Sequence, residues 1–339
     1  MSAEYEKGLL SICMVGYNHA KYAKAAVDAV NKLRYDKVEL IVLDDGSKDG
    51  TGDVLTALVD NSRVRLALIL QENTGNVGHN NNVALKQAKG EFVSMISLDD
   101  MLIPEKIDDL IRQIMEEKDL AFIASTQIKG VNENGEEEKG SVPPIPLDEV
   151  EHPSITDLLE MEYEKFGAFY VQGAIFRRCV IDAVGGFDED MTGDDIILRT
   201  KVFRYLKDNP NWRFKLLSEP TCLYRQHDAN IHHNSMRQIQ IVTEYLQRYW
   251  PDRPDPEMLY KWTMHTVRHM DIAALPKLFS LNARAKHMLF NGKYIAGVIR
   301  ILFERMIHPI YYKTKDGDQR IITLLSRYKF SYSRKRHKR

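Results

Sequence analysis

The sequence predicts an α/β sandwich with a mostly parallel sheet, followed by a helical C-terminal region. Short apolar runs alternate with helical patterns four times in about the first hundred residues, which predicts the sandwich. Beyond about residue 236 the pattern becomes helical and increasingly basic, which predicts the appendage. A chain of 339 residues suits two such parts, and we place them at 1–235 and 236–339.

The elements follow from apolar periodicity and from turn residues. Short apolar runs bounded by Gly and Asp are typical of buried strands, and apolar residues three or four apart indicate helices. The expected strands are 9–15, 38–43, 64–70, 92–98, 168–176 and 211–224, and the expected helices are 21–33, 49–60, 80–88 and 104–117. An Asn-Gly signal at 131–135 predicts a hairpin, and the Pro-rich, acidic stretch 141–156 predicts a loop.

Composition excludes several classes of protein. The formal net charge is −1 and 44% of the residues are apolar, which favours a globular protein without nucleic-acid partners. Cys13, Cys179 and Cys222 give an odd count without a C-x-x-C pair, so neither a disulfide framework nor a cysteine zinc site is expected. The acidic N-terminus does not resemble a signal peptide, and no apolar run is long enough to span a membrane. We therefore expect a cytoplasmic protein.

Charge is distributed unevenly along the chain. Residues 271–339 contain 16 Lys and Arg against 4 Asp and Glu, so they carry a net +12 while the rest carries −13. Together with the apolar stretch 296–307, this favours peripheral binding to an anionic membrane surface, at the inner face of the plasma membrane. A helical bundle with a solvated basic face is the alternative. Nucleic-acid binding is a third hypothesis, and no motif supports it.

Paired carboxylates are the strongest chemical signal. Asp99-Asp100 follows the fourth strand, and Asp194-Asp195 precedes a helical stretch. Adjacent carboxylates repel each other unless they share a cation, and Mg²⁺ or Mn²⁺ is the usual guest together with phosphate oxygens. Helix caps are the plainer alternative. No P-loop, G-x-G-x-x-G or G-x-S-x-G motif occurs at the expected positions, which disfavours P-loop proteins, dehydrogenases and α/β-hydrolases.

Seven motifs in a fixed order resemble the family 2 glycosyltransferases, which have the GT-A fold. The resemblance covers about residues 8–235. The motifs are Ser-Ile-Cys-Met-Val-Gly-Tyr-Asn at 11–18, Val-Glu-Leu-Ile-Val-Leu-Asp-Asp-Gly-Ser-Lys-Asp-Gly-Thr at 38–51, Glu-Asn-x-Gly at 72–75, Ala-Lys-Gly-Glu-Phe at 88–92, Leu-Asp-Asp at 98–100 before Pro104, Val-Gly-Gly-Phe-Asp-Glu at 184–189 and Tyr-Arg-x-His-x-x-Asn at 224–230.

The resemblance implies a role for each matching residue. A nucleotide-sugar donor, with UDP as the expected nucleotide, would contact Tyr17, Asp45, Asn73, Asn81 and Leu98. Asp99, Asp100 and His227 would hold Mn²⁺ or Mg²⁺. Asp195, with Asp194 beside it, would be the general base, and Gly185 and Gly186 would lie near the acceptor, a glycan or lipid-linked glycan. One base and one metal suffice for a single displacement, so we expect an inverting transferase. A cytoplasmic enzyme with a basic, membrane-binding tail suggests a lipid-linked acceptor, as in bacterial surface polysaccharide assembly.

Two departures leave alternatives open. Ser97 stands where the family often has a first Asp, and Asn80 stands where it often has Arg, although His79 could supply a positive contact. Both departures favour the competing interpretation of a sugar-nucleotide binding module without catalysis. A nucleotidyltransferase is a second alternative, although residues 14–18 lack the Gly-rich basic loop that such enzymes usually have after the first strand. His19 is interpreted as a residue that starts a helix rather than as a catalyst. The spacing of His227, His232 and His233 fits no standard zinc site.

Overall fold

The computed structural model describes residues 5–138, 152–228, 230 and 234–307, together with the backbone of three strands between 311 and 333. The chain divides into two compact units. Unit 1 comprises Met1–His233 and Arg248–Trp250, and unit 2 comprises Asn234–Gln247 and Pro251–Arg339. The acidic loop expected at 141–156 falls largely outside the described residues, as do His232 and His233.

Unit 1 is built on a seven-stranded sheet in the order β3-β2-β1-β4-β8-β6-β9. Only β8 runs antiparallel to its neighbours, which confirms the predicted mostly parallel α/β fold. A small sheet, β5-β10-β7, lies in the same unit. The strands are β1 (Glu6–Gly16), β2 (Val38–Asp44), β3 (Arg65–Leu70), β4 (Gly90–Ser97), β5 (Met101–Leu102), β6 (Leu120–Ser125), β7 (Lys129–Val131), β8 (Ile175–Arg177), β9 (Arg213–Leu217) and β10 (Cys222–Arg225).

Seven α-helices among the described residues belong wholly to this unit, and they make the sheet the middle layer of a sandwich. Along β1, Leu10, Ile12 and Met14 belong to one apolar cluster, and Cys13 and Val15 belong to the other. This alternation is the two-residue period of a strand that is covered on both faces. The helices are α1 (Ala20–Asn31), α2 (Thr51–Val59), α3 (Val77–Gln87), α4 (Pro104–Glu116), α5 (Ile155–Lys165), α6 (Arg178–Ala183) and α7 (Asp195–Asp208).

Strand register brings three loops together at the carboxyl edge of the sheet. Gly16 pairs with Asp44, and Val15 pairs with Ser97, so the segments after β1, β2 and β4 begin side by side. In the small sheet, Cys222 pairs with Leu102, which brings the segment after β10 to the segment after β4. Ligands of parallel α/β sheets bind at this edge.

Unit 2 contains helices and a three-stranded antiparallel sheet, β11-β12-β13. The helices agree with the predicted helical region, whereas the strands were not expected. Gly297 lets two helices approach closely, because a Cβ there would lie 2.5 Å from Met264 Sδ. The elements are α8 (Ser235–Tyr249, whose last two residues belong to unit 1), α9 (Glu257–His269), α10 (Leu275–Leu278), α11 (Ala283–His287), α12 (Gly292–Ile307), β11 (Tyr311–Asp316), β12 (Gln319–Leu324) and β13 (Tyr328–Ser333).

None of the helices in the described part of the chain combines the length and the hydropathy that a membrane span requires.

Candidate functional site

Two histidines and an aspartate meet at the carboxyl edge of the sheet in unit 1. His227 Nε2 lies 3.0 Å from Asp99 Oδ2, and His19 Nε2 lies 3.6 Å from the same oxygen. One potential ligand atom from each side chain lies within 4.8 Å of the other two. Such a carboxylate–imidazole set is chemically suited to a divalent cation.

Each of the three residues is placed by a different loop. Asp99 follows β4, five residues before Pro104 begins α4. His19 is the residue before α1, and its backbone N–H donates to Thr51 Oγ1 at 2.9 Å. His227 follows β10, and its ring stacks on Tyr22 of α1 with 5.0 Å between the ring centroids. The motifs predict Asp99 and His227, and the fold adds His19, which lies far from both along the sequence.

The electrostatics of the cluster agree with metal binding. Burial opposes ionisation of Asp99, yet the hydrogen bond from His227 and the neighbouring His19 lower the pKa of the Asp99 carboxyl. Burial lowers the pKa of His19, which favours the neutral imidazole that metals require. Among the described residues, Asp99 Oδ1 and His19 Nδ1 are buried without a hydrogen-bond partner. Since buried polar atoms are normally paired, these atoms fit a site for a bound group.

Asp100, the third predicted metal residue, does not belong to this cluster. Its side chain is buried, and Oδ1 accepts the backbone N–H of Arg225 at 2.8 Å. Burial, and then the charge of Asp99, raise the pKa of this carboxyl well above its ordinary value. The structure therefore groups Asp99 and His227 with His19, which the sequence interpretation placed only at the start of a helix.

Asp45 and Asn73, predicted to contact the nucleotide, shape the loop that follows β3. The Asp45 carboxylate accepts the backbone N–H groups of Thr74 at 2.8 Å and Gly75 at 3.0 Å, and the Gln71 amide at 2.8 Å. These hydrogen bonds outweigh burial and lower the pKa of Asp45. The Asn73 amide donates to the backbone carbonyl of Asp45 at 2.8 Å. Both side chains are thus committed to holding residues 71–75.

The other predicted nucleotide contacts differ in how much of the side chain is accessible. Tyr17, directly after β1, is 42% exposed and available to a ligand. Leu98 is fully buried, and a Cβ on Gly16 would lie only 2.5 Å from Leu98 Cβ. Asn81 is buried, and its amide donates to the carbonyl of Val77 in the same helix at 3.0 Å. In this conformation the side chains of Leu98 and Asn81 support the edge from within.

Asn80, one of the two positions that depart from the family pattern, and its neighbour His79 also have partners in the structure. The amide oxygen of Asn80 accepts the Gln71 amide at 2.8 Å and the Thr74 hydroxyl at 3.0 Å, so it steadies the same loop as Asp45. His79 Nδ1 lies 2.7 Å from Glu189 Oε2. His79 therefore faces a carboxylate in this conformation.

The predicted base and acceptor residues lie at the start of α7 and in the turn after α6. Asp195 is the first residue of α7 and is partly buried, and Asp194 precedes it. Burial and the adjacent Asp194 raise the pKa of Asp195 to about 7. Gly185 and Gly186 have φ of +74° and +61°, the left-handed region that favours glycine. A carboxyl with a near-neutral pKa is suited to proton transfer at physiological pH.

A cavity of ≈ 550 Å³ opens beside His227 within unit 1. Its lining is polar and partly acidic, and it comes from the hairpin after β7 and from the segment after β10. The lining residues are Asn132, Glu133, Asn134, Glu138, Gln226, His227 and Asp228.

A mostly parallel sheet with a carboxylate–histidine cluster at its carboxyl edge places the chain among the α/β proteins that bind ligands at that edge. The family model described as "Glycosyl transferase family 2" matches residues 11–185, more than half of the chain. The chain belongs to this family, as its motifs predict.

Curated relatives match over limited regions. Glycosyltransferase GlyG of Streptococcus pneumoniae serotype 4 is 33% identical over 109 residues, which cover 32% of this chain and 36% of the relative. An uncharacterized glycosyltransferase of Nostoc sp. is 25% identical over 230 residues, which cover 66% of each protein. The chain thus spans between about one third and two thirds of these relatives.

Solved structures match over almost the whole chain. S. aureus TarS 1–349 in complex with UDP-GlcNAc has a TM-score of 0.63 at 17% identity, over 93% of this chain and 97% of that one. The mannosyltransferase PcManGT from Pyrobaculum calidifontis, in complex with GDP-Man and Mn²⁺, has a TM-score of 0.52 at 16% identity, over 88% and 86%. At these identities the likeness concerns the fold, and it confirms the GT-A-like prediction.

Proposed function

We propose that this chain is a metal-dependent inverting glycosyltransferase. It would move a sugar from a UDP-sugar to a hydroxyl group of a glycan or lipid-linked glycan, in surface polysaccharide assembly. The observation that carries the proposal is the His19–Asp99–His227 cluster at the carboxyl edge, with the unpartnered Asp99 Oδ1. Asp195 in the same unit supplies the second requirement, a carboxyl that can accept a proton near neutral pH.

Similar proteins support the substrate class. TarS binds UDP-GlcNAc and PcManGT binds GDP-Man, so related folds accept nucleotide sugars. Chondroitin synthase of Pasteurella multocida is 30% identical over 128 residues, which cover 38% of this chain and 13% of that protein. This supports a polysaccharide acceptor, while UDP is favoured by the TarS complex.

The cluster and the other residues at the carboxyl edge of the sheet would have different roles. Asp99 and His227 would hold Mn²⁺ or Mg²⁺, which neutralises the charge of the departing diphosphate. Tyr17 offers an exposed ring to the nucleobase of the donor, and Asp45 fixes the loop that would border the nucleobase.

Asp195 would take the proton from the acceptor hydroxyl as that oxygen attacks the anomeric carbon of the sugar. A single displacement inverts the configuration at that carbon, so an α-linked donor gives a β-linked product. Gly185 and Gly186 would let the acceptor approach the backbone, since a Cβ on Gly185 would meet only open space.

We also propose that unit 2 binds an anionic membrane surface. Its exposed apolar side chains include Phe290 at 78% exposure and Met306 at 72%. Residues 272–307 contain six Lys and Arg and one Glu, which complements acidic lipid headgroups. The exposed apolar side chains of unit 2 that would contact the membrane are Leu289, Phe290, Ile295, Ile299, Phe303 and Met306. An enzyme bound in this way would lie on the inner face of the plasma membrane.

A donor panel tests the catalytic proposal. The protein is incubated with UDP-glucose, UDP-galactose, UDP-GlcNAc, UDP-GalNAc or GDP-mannose, with Mn²⁺ or EDTA, and release of nucleoside diphosphate is followed. We expect metal-dependent release from a UDP-sugar, abolished in Asp99→Ala and Asp195→Asn and retained in Glu164→Gln, an exposed residue of α5. Binding without release, with and without oligosaccharide acceptors, would favour a non-catalytic module, and absence of donor binding would refute the proposal.

A further inference from the structure

His19 occupies its place in the cluster without another evident role for its side chain. It stands at the N-cap position of α1, yet its side chain makes no capping hydrogen bond. Its ring is largely buried, and Nδ1 has no hydrogen-bond partner among the described residues. Nε2 faces Asp99 Oδ2 at 3.6 Å, beyond hydrogen-bonding distance. Nε2 is therefore the ring nitrogen that a cation shared with Asp99 would contact.

The distances match those between neighbouring ligands of one metal ion. Metal–nitrogen and metal–oxygen bonds of about 2.0–2.2 Å place adjacent ligand atoms about 3.0–3.6 Å apart, in octahedral or tetrahedral geometry. The two nitrogen–oxygen distances in the cluster are 3.0 Å for His227 and 3.6 Å for His19. The ligand atoms of His19 and His227 lie within 4.8 Å of each other, so one cation could contact all three residues after a shift of the side chains.

We propose that His19 is the third protein ligand of this site, in the place that the sequence pattern gives to Asp100, and that it makes the site select Mn²⁺ over Mg²⁺. The inference rests on the proposed metal-dependent function. Mg²⁺ prefers oxygen ligands in a strict octahedron, whereas imidazole nitrogen favours transition metals. A set with two imidazoles and one carboxylate therefore discriminates against Mg²⁺.

Direct binding measurements test this without reference to turnover. Full-length protein is titrated with MnCl₂ or MgCl₂ by calorimetry, with and without UDP, and free Mn²⁺ is followed by electron paramagnetic resonance. We expect Mn²⁺ to bind at least about tenfold more tightly than Mg²⁺, and His19→Ala to weaken Mn²⁺ binding by about tenfold or more with a much smaller effect on Mg²⁺. His265→Ala, an exposed histidine of α9, is the matched control.

A second variant separates ligation from a structural role. His19→Asp replaces a nitrogen ligand with an oxygen ligand, so the ratio of Mg²⁺ to Mn²⁺ affinity should rise relative to the wild type. Equal Mn²⁺ affinity in His19→Ala and the wild type, or equal losses for both ions, would overturn the assignment of His19. If the wild type binds neither ion with or without UDP, the proposed metal dependence itself fails, which is a different result.

Discussion

Burial and the adjacent Asp194 are the largest causes of the near-neutral pKa of Asp195, and the buried pair of Arg199 and Glu162 also contributes to it. Arg199 lies one turn after Asp195 on α7. Arg199 Nε donates to Glu162 Oε1 at 2.5 Å, and Nη1 donates to the carbonyl of Phe169 at 3.0 Å. Glu162 on α5 is fully buried, and its charge raises the pKa of Asp195 while Arg199 lowers it. Asp194 and Tyr224 are the other titratable neighbours.

Glu162→Gln should therefore lower the pKa of Asp195. The substitution removes the Glu162 charge that raises this pKa and keeps the Arg199 charge that lowers it, and a cation within about 4–6 Å lowers a carboxyl pKa by about 1–3. If the wild-type value of about 7 falls to about 6, the deprotonated fraction at pH 6 rises from about one tenth to about one half. Activity at pH 6, relative to the plateau at high pH, should then rise about fivefold.

The assay is kcat/KM from pH 5.5 to 8.5, measured by release of the nucleoside diphosphate. Because Asp195 acts as a base, activity rises with pH through its pKa, near 7 in the wild type and lower in Glu162→Gln. Removing one partner of a buried ion pair costs about 3–5 kcal/mol, so the measurements are made well below the temperature of the unfolding midpoint. Glu162→Asp keeps the charge and should restore the wild-type dependence of kcat/KM on pH. Glu164→Gln should leave that dependence unchanged. An apparent pKa of kcat/KM that stays near 7 or rises in Glu162→Gln would refute the reasoning.

Three further predictions concern stability and binding. Asp195→Asn should stabilise the protein at pH 8 by up to about 4 kcal/mol and much less at pH 4. The pKa of Asp195 is about 7 in the folded protein and 3.8 in the unfolded chain, so the wild type loses stability as the pH rises between these values. Thermal unfolding at both pH values checks this. Gly186→Ala should lower the unfolding midpoint more than Gly185→Ala, since both have positive φ but only the Gly186 Cβ would lie 2.5 Å from Asn82 Oδ1; equal losses in calorimetry would contradict it. Phe290→Ser should reduce flotation with phosphatidylserine vesicles, and equal flotation of the wild type with neutral vesicles would argue against the charge contribution.

The sequence predicted the part of the fold that depends on local pattern. Alternating apolar runs such as Leu9–Val15, followed by helical spacing, are set by the covered faces of the sandwich and therefore appear in the residues themselves. Strands β11 to β13 were missed because basic residues dominated the interpretation of that region. Tyr328, Phe330 and Tyr332 do alternate with polar residues there, a two-residue period that could have indicated a strand.

Site residues were harder to predict than elements, because side-chain direction is decided by neighbours far along the chain. The motif order was enough to select Asp99 and His227, which the fold brings to 3.0 Å. It could not show that Leu98 packs into the core or that Asp45 is surrounded by the N–H groups of its own loop. His19 could have been suspected from its position directly after the first parallel strand, at the edge where ligands bind.

The adjacent carboxylates Asp99 and Asp100 illustrate how one sequence signal divides into two structural roles. Asp100 accepts the backbone N–H of Arg225, two residues before His227. The Arg225 guanidinium in turn donates to the carbonyls of Asp99 at 2.9 Å and Glu133 at 2.7 Å. These contacts join the end of β10 to the segment after β4, so Asp100 helps to hold His227 against Asp99. Asp100 therefore contributes to the cluster by fixing the backbone that carries His227. This explains why Asp99 and Asp100 both belong to the motif although only Asp99 faces the histidines.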